Sequence, residues 1–203
     1  MNMKLRLISL LFKLKSTLKQ ELGKDMSLQV VDRTKYYFIE LEKRKPKEKG
    51  VMRIHRTLLI LGLALYRAMK DKLGDRDDLV DIVHKVLWRS VTCDLMRIQA
   101  FFVRHSKNPY NLFLRLLGPR NERFFLCPPW EKVEVELENG VGWDQLKCPY
   151  YDFFKEEDEV GLTKAYCDID KLVAKLVPDH IELKRQRTLA DGDNSCDFYY
   201  YTK

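Results

Sequence analysis

Through the first half of the chain, apolar residues recur at mixed spacings of three and four positions, the period of helices that bury one face. This pattern predicts helices over Leu5–Leu22, Val30–Glu42, Met52–Leu73 and Leu79 to about Arg104, with no competing strand pattern. Gly74, followed by Asp75 and Asp77, marks a stop and a new start: glycine accepts a left-handed C-terminal position, and an aspartate can cap the next helix. Two antiparallel neighbours should result, with Leu58, Leu61, Leu65 and Met69 facing Val83, Val86, Leu87 and Val91.

The pattern changes after His105, where Asn108, Pro109, Gly118, Pro119, Pro128 and Pro129 punctuate a connector. Val133, Val135 and Leu137 then alternate with Glu134, Glu136 and Glu138, predicting a half-buried strand, and Asn139-Gly140 signals a two-residue hairpin. The return strand should run from Val141 through Trp143 to about Cys148, with Pro128-Pro129-Trp130 as a rigid lead into the pair. A helical segment follows from about Asp158 to Leu176, with a break near Tyr166, and Pro178 ends it. Ile181, Leu183 and Leu189 suggest another strand, Asp191–Ser195 a turn, and Cys196–Tyr201 a last strand with one tyrosine face inward.

These elements describe an α+β fold in which a helical N-terminal half packs on a small antiparallel sheet formed by the C-terminal half, with helices against one face of that sheet. Residues 1–203 read as one such domain: 1–26 as an N-terminal helical extension, 27–105 as the helical part, and 106–203 as the sheet-containing part.

Composition narrows the class. At 203 residues, with 45% hydrophobic and 33% charged, the chain can bury a proper core. Lys and Arg outnumber Asp and Glu by 37 to 30, but the excess is spread out and lacks interleaved aromatics, so no nucleic-acid partner is expected. The run Lys43–Lys49 around Pro46 reads as a solvated loop. The apolar stretches at Leu5–Leu14 and Leu58–Leu65 fall short of the ~20 residues that cross a bilayer. Five cysteines, an odd count with no secretory leader, favour reduced thiols and a cytoplasmic setting. Without a Cys-x-x-Cys or His-x-x-x-His spacing no metal is expected, and without a Gly-rich phosphate loop or dinucleotide fingerprint no cofactor is expected.

One ordered set of segments carries more information. Leu126–Trp130, Cys148-Pro149-Tyr150-Tyr151, Tyr166-Cys167-Asp168-Ile169-Asp170 and Arg187–Phe198 follow one another as they do in L-2-amino-thiazoline-4-carboxylic acid hydrolases, a family this chain resembles. The last segment is the most specific. A similar ending, with a basic residue, a Gly-Asp turn and a Cys-x-Phe strand, also occurs in 4-vinyl-reductase-type ligand-binding domains, so the resemblance speaks to fold more strongly than to reaction.

The hydrolase resemblance implies ring opening of a small cyclic thiazoline carboxylate to N-carbamoyl-cysteine, a step of cysteine metabolism. Water must add at the carbon between nitrogen and sulfur, and the tetrahedral intermediate must expel the sulfur. For this chemistry Cys148, Cys167, Cys196 and Asp168 are the catalytic candidates. Cys167 is favoured where a helix begins or restarts, because a helix N-terminus stabilises a thiolate. Arg187, with Arg185 beside it, suits the substrate carboxylate, and Asp168, Asp193 and Asp197 suit the amidinium-like head. Each has a plainer reading: a cysteine as a small buried hydrophobe, and Asp191, Gly192 and Asp193 as the closure of a turn. Of the scattered histidines His55, His84, His105 and His180, only His180 lies near the final hairpin as a candidate base.

The partner this implies is a small-molecule carboxylate, in a pocket between the helical half and the sheet; homo-oligomerisation stays open. Two rivals share the residues: a binding or sensor domain without turnover, and an interaction module that uses the basic N-terminal helix.

Overall fold

The computed structural model describes residues 14–45, 48–91, 94–117 and 130–203. The chain divides into two compact units, Met1–Thr92 and Cys93–Lys203.

The first unit is helical. Residues 14–22 form the described part of α1, followed by α2 (Lys24–Arg44), α3 (Gly50–Leu73) and α4 (Leu79–Val91). Every residue from Leu59 to Leu65 is buried, because α3 runs between α2 and α4 and has no solvent face there. On α2, Val30, Val31, Thr34 and Leu41 turn inward, and on α4 Ile82, Val83, Val86 and Leu87 do. Gly74 closes α3 at a φ of 73°, as its position between two helical patterns predicts. Arg56, nearly buried, donates to the Glu42 and Lys45 carbonyls and pairs with the Glu42 carboxylate, which satisfies the C-terminal turn of α2. Of the residues predicted to face across α3 and α4, Leu61, Leu65, Met69, Val83, Val86 and Leu87 are buried and Leu58 is half-buried, while the Val91 side chain lies outside the described residues. The first predicted helix is seen only from residue 14; positions 5–13 lie outside the described residues, as does the Leu126–Pro129 part of the connector. No helix among the described residues is long and apolar enough to cross a membrane.

The second unit holds the sheet. Helices α5 (Asp94–Arg104) and α6 (Pro109–Leu116) precede strands β1 (Glu131–Val135) and β2 (Gly140–Lys147). Then come α7 (Pro149–Glu156), α8 (Thr163–Ala174), β3 (Ile181–Lys184) and β4 (Cys196–Thr202). All pairings are antiparallel, in the order β1-β2-β4-β3. Alternation along β4 sends Cys196, Phe198 and Tyr200 to one face and Asp197, Tyr199 and Tyr201 to the other. The first face carries the core: Trp143 stacks on Phe198 at 5.4 Å and on Tyr200 at 5.8 Å, and Ala100, Val103, Phe113, Leu114 and Ala174 from α5, α6 and α8 close over it. Tyr110 on α6 ties the layers by donating to the Tyr200 carbonyl at 2.8 Å.

Several predicted details need correction. The Val133 strand forms, but Val133 pairs with Asp144 and Glu134 with Trp143, so the valines lie on the face away from the core and Val133 is 53% exposed. Lys132 lies on the core side instead, its ammonium 5.4 Å from the Trp143 ring. The Asn139-Gly140 hairpin is wider than two residues, since Val135 pairs with Gly142. Gly140 serves the neighbouring strand: a Cβ there would meet the Tyr200 carbonyl oxygen at 2.5 Å. The predicted helix from Asp158 is a 3-10 turn (Val160–Leu162) followed by α8, which runs unbroken through Tyr166, and Leu189 belongs to a 3-10 turn rather than a strand. The single predicted helix from Leu79 to Arg104 is described as α4 and α5 on either side of residues 92–93.

Candidate functional site

The residues that matter chemically in the second unit are brought together by three chain reversals. β2 ends at Lys147, and Cys148 becomes the N-cap of α7, with Pro149 in the first turn, where its missing N–H costs nothing. Cys167 sits on α8, and Cys196 opens β4 on the core face. Arg185 follows β3, and its guanidinium lies 4.3 Å over the Phe198 ring, on the same face as Cys196. The Arg185 side chain is 2% exposed; it donates to the Cys167 carbonyl at 2.9 Å and pairs with Asp170 at 3.2 Å. Its Nε has no partner within the protein.

The electrostatics confirm a shared neighbourhood. Burial pushes the Cys148 thiol up to about 11 against the pull of the Tyr151 and Tyr150 amides, and the charges of Cys196 and Asp170 add to the rise. Burial pushes Cys167 up to about 12, opposed by Arg185 and reinforced by Cys148, Asp170 and Cys196. Burial raises Asp170 from its ordinary value, with Arg185 working against the rise. Burial alone disfavours the Arg185 charge, but Asp170, Cys167 and Cys196 outweigh it and hold the guanidinium firmly protonated. Tyr150 and Tyr200 are also raised, mainly by burial, and both feel Asp170.

Cys148, Tyr150, Cys167 and Asp170 nevertheless keep some solvent access. These four groups stand at the edge of the buried core, partly open to solvent. Tyr150 packs edge-on against Tyr166 at 5.4 Å, and Trp130 reaches Tyr150 at 6.1 Å. Among the described residues no group of three or more His, Cys, Asp or Glu side chains is arranged to hold a metal ion.

Cys148, Cys167 and Cys196 thus converge, while the other predicted site residues stand elsewhere. Asp168 pairs with Lys171 at 2.9 Å on the outer side of α8. Arg187, 47% exposed, pairs with Asp144 at 3.0 Å and donates to the Tyr199 hydroxyl, which puts it on the sheet face opposite Arg185. Asp193 accepts the Thr188 amide at 2.9 Å. Asp197, 4% exposed, accepts the amides of Gln186 and Arg187, the latter at 2.6 Å. His180 donates its amide to the Val177 carbonyl at the start of β3. Cys167 is also not at a helix start: it is the fifth residue of α8, so the macrodipole gives it no help and its thiol is raised rather than lowered.

The comparison with known families decides the assignment: the sequence model described as L-2-amino-thiazoline-4-carboxylic acid hydrolase matches residues 33–200. The chain belongs to that family. The match runs from α2 to β4 and so includes the helical half, which the motifs covered only in general shape. Comparison with curated proteins yields no match.

Within this hydrolase-family chain, sequence reasoning missed Asp170 and Tyr150. Helical phase could have found the first, because Cys167 and Asp170 are three apart and share a face of α8, whereas Asp168 shares its face with Lys171. Pro149 at a first helical position, with Asp152 in the same turn, was the available signal for α7 and hence for Tyr150.

Proposed function

We propose that this protein hydrolyses a small cyclic thiazoline or amidine carboxylate, opening L-2-amino-thiazoline-4-carboxylate to N-carbamoyl-cysteine, at the site where Cys148, Cys167, Cys196, Asp170 and Arg185 meet. The observation that carries the reading is this convergence inside a chain of the hydrolase family. In the reaction, water adds to the carbon between the ring nitrogen and sulfur, the carbon–sulfur bond breaks, and the sulfur leaves and takes a proton.

The geometry supports water rather than a resting thiolate as the attacking group. With thiols at about 11 and about 12, Cys148 and Cys167 stand neutral near pH ~7. A neutral thiol can hydrogen-bond the ring sulfur as it leaves, and we assign that role to Cys148, with Cys167 and Cys196 beside it; the proton that the departing sulfur takes is the one that the attacking water gives up. Arg185 is assigned to the substrate carboxylate because it is the cation that lies with the cysteines, held by the Cys167 carbonyl and Asp170. Arg187 is bound instead to Asp144 and Tyr199, and the carboxylates of Asp193 and Asp197 are committed to backbone amides.

The test is incubation of the purified chain with L-2-amino-thiazoline-4-carboxylate, following the gain of one water by mass and the appearance of free thiol. Ring opening is expected in the wild type, with a marked loss in Cys148→Ser and little change in Asp168→Asn, whose carboxylate points to solvent. A folded protein without turnover would sink the reaction and leave a binding domain.

A further inference from the structure

The Asp170 carboxylate has acceptor capacity beyond its pairing with Arg185. Its Oδ2 takes the Arg185 hydrogen bond, yet its side chain keeps 31% of its exposure, on the face of α8 that it shares with Cys167. A carboxylate has about four acceptor positions and Arg185 occupies one, so capacity remains for a ligand. Charge and shape agree on which ligand. The neighbours are aromatic, with Phe198 already carrying one flat cation, the Arg185 guanidinium, on its face, and with Tyr150 and Tyr200 near enough to feel the Asp170 charge. A second flat, delocalised cation would meet the acceptor positions that Arg185 does not take. The other acidic side chains of the family motifs are committed, Asp168 to Lys171, Asp193 to Thr188 and Asp197 to two backbone amides.

We infer that Asp170 is a substrate-binding residue that takes the amidinium head of the ligand, so that Asp170 and Arg185 together read a zwitterion carrying an amidinium and a carboxylate. This deepens the hydrolase reading and rests on it for the identity of the natural ligand, but the recognition itself is testable without turnover. It also predicts selectivity: neutral thiazolines of the same shape are rejected because they leave the carboxylate unmatched.

Calorimetry on the full chain separates the two ends of the substrate. The probes are 2-amino-2-thiazoline, which is the head without a carboxylate; 2-methyl-2-thiazoline, its less basic isostere; and thiazolidine-4-carboxylate, which carries the carboxylate without the amidine. The wild type should bind the amino probe about tenfold or more tighter than the methyl one. Asp170→Asn should remove that advantage while shifting thiazolidine-4-carboxylate binding less than about twofold. Asp170→Glu keeps the charge and should restore most of the preference, which covers the case in which the asparagine variant is poorly folded by its melting curve. Absence of amino-probe binding in the wild type, or a preference that survives Asp170→Asn, overturns the inference. An Asp170-dependent preference in a protein that does not open the ring upholds the recognition and overturns only the reaction; turnover with KM unchanged in Asp170→Asn does the reverse.

Discussion

The protonation of the clustered thiols is open to a direct measurement, because alkylation reads thiolate and not thiol. At about pH 8, a thiol with the ordinary value of 9.0 is about a tenth thiolate, whereas one raised to about 11 is about a thousandth, roughly ninetyfold less. A more basic thiolate is intrinsically more reactive, and a Brønsted slope of about 0.45 returns roughly eightfold over those two units. Cys148 should therefore react about tenfold more slowly in the native protein than in the denatured chain. For Cys167, raised to about 12, the same arithmetic gives about fortyfold. Cys196 is buried under Arg185 and accepts the Leu189 amide, so access rather than charge protects it. The assay is timed iodoacetamide labelling of native and urea-denatured protein, read by peptide mass at each cysteine. Native labelling of Cys148 or Cys167 at the denatured rate would refute the desolvation argument. It would also restore the thiolate nucleophile set aside above.

Other predictions use the same geometry. Raised thiols favour the folded state only while protonated, so the stability they contribute is complete below about pH 9 and is lost as pH rises toward 12, with Tyr150 and Tyr200 acting in the same sense; urea midpoints across that range should fall, and a flat profile counts against it. Asp197→Ala removes the buried acceptor of the Gln186 and Arg187 amides and should cost about 1–3 kcal/mol by urea denaturation; a loss below about 0.5 kcal/mol would mean that these bonds hold nothing. Gly140→Ala drives a Cβ into the Tyr200 carbonyl and should cost about 1–3 kcal/mol, whereas Gly142→Ala meets side-chain atoms of Leu137 and Tyr199 rather than backbone and should cost less; melting temperatures in the reverse order would contradict the strand register.

The helical half was legible because its signals are local. Gly74 has to adopt a positive φ, and the apolar run around Leu61 has to be buried whatever surrounds it. The sheet was legible in its strand count and less so in its faces. Alternation at Val133, Val135 and Leu137 shows that two faces exist, but which face meets the helices depends on pairing with β2, a non-local fact. The Asn139-Gly140 pair likewise looked like turn chemistry, while the need for glycine comes from the approach of Tyr200 across the sheet. In the site, the three cysteines were named from the motifs, but their common location and the raised thiols come from burial that no single-residue rule contains.

The Arg187–Phe198 segment was the most specific signal in the sequence, yet most of its polar side chains serve the backbone. Strand alternation would send Arg185 and Arg187 to the same face of the sheet. They are found on opposite faces, one over Phe198 and the other beside Asp144 and Tyr199. The alternation breaks where Asp197 takes two consecutive amides, those of Gln186 and Arg187, and Asp193 takes the next, that of Thr188. A carboxylate that receives successive N–H groups holds the chain out of the extended form and satisfies amides that β4 does not reach. Asp193 and Asp197 thereby hold the turn that leaves Arg185 over Phe198 and paired with Asp170, while Arg187 goes to Asp144 on the other face.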